Sequence, residues 1–406
     1  MYIWHYKYYF VKISIKQYLI YSSVFAIFTE AFFFNFIIDW KLQYLILFVN
    51  YILLLKISKL TFQKNFVYLI LFLIAHGLIA YTIIWIPLNF MVSQILGVAI
   101  VGAYYYNFVK LYKPIELIEV YLKIAFWVAV IGFPLYFFKI NIGNEGEFRF
   151  HSIFKEPAHY CIVVLPACYY YFKTKKYFRF LVILSTLIIS QSSLGYIGCG
   201  LLFLLPNLTL KRVGYFVAIT PVLCATFYYV YTEYPFFQMR VSETASSLKV
   251  INSGKFKNYT NLSTYVLISN LYIAKRNIQE HPLGSGIGSH HFMYLEHYLK
   301  LMSPPEYLVI QKKQTDNSFD ANSLFTRICS EFGLIGFIFI LYMLSFAIKT
   351  YKTDDLFFSQ GVVIYFLLKL FRDGTYFPPE IFLFVWLMYF SYKEVLEKNR
   401  LQNTSL

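Results

Sequence analysis

The sequence predicts an all-α polytopic membrane protein with about twelve transmembrane helices and one large extracytoplasmic loop. Three observations predict it. Of 406 residues, 59% are hydrophobic and 22% aromatic, outside the composition of soluble domains. Apolar runs near the length needed to cross a hydrocarbon core, about 20 residues, recur along the chain. The 36 Lys and Arg residues, which produce a net charge of +15, fall in small clusters between those runs and not on one face of a soluble module. That distribution sets orientation in a lipid bilayer and argues against a nucleic-acid partner.

In chain order the candidate spans are 18–38, 42–58, 66–86, 88–109, 117–138, 157–172, 177–192, 194–206, 213–231, 324–348, 356–371 and 379–392. Little more than Pro87 separates the third from the fourth. The short polar stretch Ser190-Gln191-Ser192-Ser193 separates the seventh from the eighth, so both pairs are expected as tight hairpins. With the N-terminus placed in the cytoplasm, every inside connection is basic, from Lys7, Lys12 and Lys16 through Lys56, Lys59 and Lys64 to Lys393, Lys398 and Arg400. Both termini are then cytoplasmic. The first apolar run lacks a small-residue cleavage pattern and is expected to remain as a span. Short outside turns carry few cations, with two exceptions: residues 139–156 hold Lys139, Arg149 and Lys155, and Arg372 with Asp373 follows the eleventh span. Orientation gives no reason for an arginine at either place.

Three regions follow: 1–231 with nine spans and an outside motif loop at 139–156; 232–321 as the large extracytoplasmic loop; and 322–406 with three spans and a cytoplasmic tail. Within the loop, Leu267, Leu271, Ala274 and Ile278 recur at helical spacing after Ser263, a potential cap. This predicts an amphipathic helix lying on the membrane or on the bundle. The glycine-rich run from His281 to Ser289 comes next. Asp320-Ala321-Asn322-Ser323 can then cap the tenth span.

Residues 149–160 form a polar island between two apolar runs. Pro157 can open the helix there, because a first helical position needs no N–H. Helix starts at Pro157, after Asp320 and at Pro378-Pro379 all face outside, so their positive dipole ends and the guanidinium groups of Arg149 and Arg372 converge. Such a place suits a phosphate or diphosphate, whose oxygens a guanidinium fork binds bidentately. Glu156 is the first choice for a base, with His159 and Asp320 as the other candidates. Blander readings stand beside these: arginines that snorkel to headgroups, a Glu156 paired with Lys155 or Arg149, and a glycine run that is only a flexible turn.

Glu30 and His76 fall inside candidate spans, where an ionisable group is costly, and would suit a proton-coupled exporter or lipid flippase. Five cysteines show no CxxC, and His290, His291 and His297 fit no HExxH pattern, so neither a metal nor another cofactor is expected.

Arg149-Phe150-x3-Phe154-x-Glu156-Pro157-x-His159-Tyr160 resembles the motif of the Wzy-type O-antigen and polysaccharide polymerases. His281-Pro282-Leu283-Gly284-x-Gly286-x-Gly288 resembles the glycine-rich segment late in their large outside loop. Asn322-Ser323-Leu324-x6-Glu331-x-Gly333-Leu334-Ile335-Gly336 resembles the helix that follows. The resemblance implies a GT-C-like, metal-independent inverting glycosyltransferase of the O-antigen polymerase and ligase superfamily in the bacterial cytoplasmic membrane. Its substrates would be sugar repeats carried on undecaprenyl diphosphate, and a separate chain-length regulator is a further partner this reading leaves open. Arg149, Glu156 and Arg372 are then the expected catalytic residues. Tyr160, Arg276, Gly284, Gly286, Gly288, His290, Asn322 and Tyr376 are the expected substrate contacts, the two tyrosines by stacking on sugars. In the ligase branch a histidine followed by asparagine precedes the late helix; here the place reads Asp320-Ala321-Asn322, which favours polymerase over ligase.

Overall fold

The computed structural model describes residues 14–36, 38–142, 149–207, short pieces between 220 and 233, 235–353 and 355–404. Helices dominate. In order they are α1 (Ile15–Phe25), α2 (Leu42–Ile57), α3 (Lys64–Ile84), α4 (Leu88–Lys110), α5 (Pro114–Phe137), α6 (Pro157–Lys173), α7 (Tyr177–Ile189) and α8 (Ser193–Leu204). In the second half come α9 (Pro235–Leu248), α10 (Leu262–Glu280), α11 (Leu324–Tyr351), α12 (Phe357–Phe371) and α13 (Pro379–Thr404). Among them α3, α4, α5 and α11 are long and apolar enough to cross a membrane, and α1, α2, α7, α8 and α12 are shorter apolar helices. The expected ninth span, 213–231, lies largely outside the described residues.

The first expected span needs correction. Its helix gives way to a 3-10 turn at Ala26–Phe28, and the chain then forms an antiparallel hairpin, Phe33–Phe36 (β1) with Ile38–Lys41 (β2), pairing Phe33 with Lys41 and Phe36 with Ile38. Hydropathy cannot separate an apolar helix from an apolar strand. The aromatic and β-branched run from Phe32 to Ile38 favours the strand. Glu30 therefore lies in a turn beyond the helix end, not inside a span.

α6 is the hub. Its residues from Tyr160 to Tyr169 are all buried, and it packs on α12, α7, α8 and α5. A helix apolar on every side belongs in the centre of a bundle, and this one carries its polar first turn to the bundle's end.

The segment ahead of α11 has its own apolar cluster, built on α10 from Tyr265, Ile268, Tyr272 and Ile273 with Met293, Tyr294, Tyr298 and Leu308. The cap of α10 is Asn261, whose side chain accepts from Thr264 N–H at 3.0 Å, and not Ser263. α10 rests on α11. The two are locked by an interlocking turn: Gly333, with φ +55°, interrupts α11 where Leu334 N–H donates to the Pro282 carbonyl at 2.9 Å. A Cβ on Gly333 would run into that carbonyl and adopt a backbone conformation L residues resist. Gly333→Ala is expected to cost about 1–3 kcal/mol or more, read as a lower thermal midpoint in detergent.

Candidate functional site

His159 lies in the first turn of α6 with its side chain 25% exposed. Its Nδ1 is 2.5 Å from Glu30 Oε2 and its Nε2 2.9 Å from Asp373 Oδ2. An ionised carboxylate only accepts, so both ring nitrogens donate and the ring is an imidazolium. The Glu30 carboxyl is pushed up by burial, but the adjacent His159 outweighs that and holds it below its usual range. Asp373 is opposed by burial in the same way, yet Lys369 and then His159 hold it well below. Lys369 is fully buried, with Nζ 2.5 Å from Asp373 Oδ2. Thr375 completes the shell, its N–H and hydroxyl donating to Asp373 Oδ1 at 3.1 and 2.5 Å. Two carboxylates thus meet two cations at one end of the bundle, and a third carboxylate, the buried Glu380 at the start of α13, faces the same cations.

The turn ahead of α11 joins this centre directly. Asp373 N–H donates to the Asn322 carbonyl at 3.0 Å, and Asn322 N–H donates to Asp320 Oδ1 at 3.0 Å. Gly374 lies so close to the Asp320 carbonyl that any side chain there would collide with it. Ser323 caps α11, accepting from Thr326 N–H at 3.1 Å. Burial, and next the charge of Asp373, raise the Asp320 carboxyl above its usual pKa. Asp320 is thereby a carboxylate of this end with a raised tendency to take a proton.

A second charged set braces the same turn from beneath. Arg327, buried in α11, donates from Nε to Glu331 Oε1 at 3.0 Å and from Nη1 to the Gly374 carbonyl at 3.0 Å, with its guanidinium 4.2 Å above the Tyr376 ring. Glu331 also receives the N–H groups of Gly288 and His290, at 2.9 and 3.4 Å. The glycines at 284, 286 and 288 have φ of +84°, +97° and +81°; Gly284 N–H donates to the His281 carbonyl at 2.8 Å, Gly286 N–H to the Glu331 backbone carbonyl at 2.9 Å and Gly288 N–H to the Glu331 carboxylate. Gly286 and Gly288 thereby dock the run from His281 to Ser289 on α11.

Other expected substrate contacts are also internal. Tyr160 is fully buried between Phe150 and Phe154, its hydroxyl 2.5 Å from Thr186 Oγ1, so it has no face free for a sugar. One face of Tyr376 is covered by Arg327. His290 is buried between Ser330 and Asn270, and burial holds its pKa at about 3, so it is neutral. Arg276 stacks on Tyr272 of its own helix at 5.5 Å. His76 donates from Nε2 to the Leu283 carbonyl at 2.9 Å and fastens the loop to α3. As an imidazolium with both nitrogens engaged, His159 has no lone pair for the base role expected of it.

Three expected residues keep an open disposition. Arg149 is half-buried, and its Nε is buried with no hydrogen-bond partner among the described residues. Arg372, at the C-cap of α12, is exposed, with no ion pair among the described residues. Glu156 is the exposed N-cap of α6, and its side chain makes no cap hydrogen bond. Sequence reasoning missed Lys369 and Arg327. Each is an ionisable residue within an apolar helix, a signal that could have found them.

Residues 178–341 match the family model described as O-antigen ligase. The segment runs from α7 through α10 to most of α11, so it includes Asp320, Asn322, Arg327 and Glu331, while Arg149, His159 and Asp373 lie beyond it. No curated protein matches the chain. Members of this family are glycosyltransferase-like enzymes, O-antigen ligases and polymerases among them. The chain thus carries an O-antigen-ligase-family domain at residues 178–341, consistent with the O-antigen polymerase and ligase superfamily that its motifs resemble.

Proposed function

We propose that the protein polymerises lipid-linked oligosaccharide repeats into a surface polysaccharide at the outer face of the cytoplasmic membrane. The observation that carries this reading is Asp320. It stands where the ligase branch has a histidine, it is joined through Asn322 and Gly374 to the His159 centre, and its environment favours proton uptake. In the reaction a hydroxyl oxygen of one repeat attacks the anomeric carbon of the growing chain from the face opposite its polyprenyl diphosphate. The bond from that carbon to the diphosphate oxygen breaks, with inversion, and the hydroxyl proton passes to Asp320. Arg149 and Arg372 bind the departing diphosphate, whose charge grows in the transition state.

A base works only when deprotonated, and the Asp320 carboxyl titrates above the usual aspartate range. The rate should therefore fall as pH is lowered through that raised value, and Asp320→Asn should be slow at every pH and lose this acid limb. A pH series of the purified enzyme checks it.

The family description supports a second reading, transfer of finished polysaccharide to lipid A core. Deleting the gene separates the classes. Loss of long chains with one repeat still on the core indicates a polymerase, loss of all attached polysaccharide a ligase, and repeats trapped on the inner leaflet a flippase.

A further inference from the structure

The turn ahead of α11 carries a flat aromatic pair that the chemistry above leaves unused. Phe319 is 67% exposed, in a stretch otherwise made of polar and small residues from Thr315 to Ser323. Its ring is nevertheless fixed, stacked on the His291 imidazole with 3.6 Å between centroids and 17° between planes. His291 is held from behind. Its Nδ1 lies 2.7 Å from Ser318 Oγ, whose own hydroxyl donates to the Thr315 carbonyl at 2.7 Å, so the ring donates and the serine accepts. Phe90 of α4 supports it from another side, 6.0 Å between centroids.

The next residue is Asp320, tied through Asn322 to Asp373. An exposed, immobilised aromatic face edged by carboxylates and amides complements a pyranose, which offers a patch of C–H groups on one face and hydroxyls around its rim. A lipid anchor would instead be expected among apolar or basic neighbours, and here they are Asp316, Asn317, Ser318 and Asp320.

We propose that Phe319, backed by His291, is the platform on which a sugar of the acceptor repeat stacks, so that its hydroxyl is presented to Asp320. The platform is a positioning device; it rests on the glycosyl-transfer reading and supplies the acceptor subsite for it.

The test uses the full-length protein in detergent or nanodiscs, with lipid-linked repeats extracted from cells lacking the chain as substrate. Phe319→Ala and Phe319→Leu should each raise the KM for the acceptor roughly tenfold with kcat changed little, and Phe319→Trp should restore it, since a flat ring and not apolar bulk is needed. Because the side chain is exposed, these variants should fold. Wild-type KM in Phe319→Ala, or a leucine as good as tryptophan, overturns the platform while leaving the function reading intact. A wild-type protein that links no repeats overturns both.

Discussion

Arg149→Ala should lower polysaccharide elongation by about two to three orders of magnitude, the effect of losing a preorganised donor to a charge that develops in the transition state. The expectation follows from its geometry. Its Nε is buried and has no hydrogen-bond partner among the described residues, an arrangement that costs free energy unless a ligand completes it. Arg149→Lys should regain only part of the activity, because an ammonium is a point charge without the fork that grips two phosphate oxygens. No ion pair of the fold is broken among the described residues, so protein abundance should stay near wild type. The length distribution of surface glycolipids, at matched protein level, reads the effect.

Asp373→Ala should act on stability as strongly as on activity. It leaves the fully buried Lys369 without the carboxylate bonded to it, with only the longer-range charge of Glu380 opposing it among the described residues, and removes one of the two carboxylates that hold His159. Breaking a buried pair by deleting one partner costs about 3–5 kcal/mol. Adding Lys369→Met removes the stranded charge and should recover much of the thermal midpoint without recovering elongation. The same residues set the acid limit of the fold. Asp373 and Glu30 both titrate below their usual values, so the stability they contribute is complete above a pH of about 4 to 5 and is lost as pH falls through the lowered folded-state values. Melting curves across that range should show a shallower acid dependence for Asp373→Asn than for wild type.

Much of the fold could be read from the sequence because its signals are local. Pro87 and the Ser190–Ser193 stretch mark two helical hairpins, and the structure has α3 with α4 and α7 with α8 at those places. The hairpin at 33–41 was not legible, since an apolar run does not declare its own backbone conformation. Sequence reasoning set the segments around 149–160, 320–323 and 372–378 on one side, and the bonds from Asp373 to His159 and to Asn322 join all three. It could not foresee which partner each charge takes. His159 finds Glu30 at a separation of 129 residues and Asp373 at 214, contacts that only the packing of α6 creates. Nor could it tell that Gly288 N–H donates to a carboxylate of the protein's own, because Glu331 reaches it from 43 residues away. Tyr160, read as a sugar contact, is buried for a related reason. Its burial is decided by α6 being central, while Phe319 stays exposed with its ring stacked on His291.

In the proposed reaction a glycosidic bond forms at the expense of a sugar–diphosphate bond. The most direct test is the release of polyprenyl diphosphate by the purified protein from lipid-linked repeats, measured against the number of new linkages in the product. One diphosphate carrier freed for each linkage, with both absent in Arg149→Ala, is the predicted result. Linkages that form as readily in Arg149→Ala, or repeats that are moved without any carrier being freed, would contradict it.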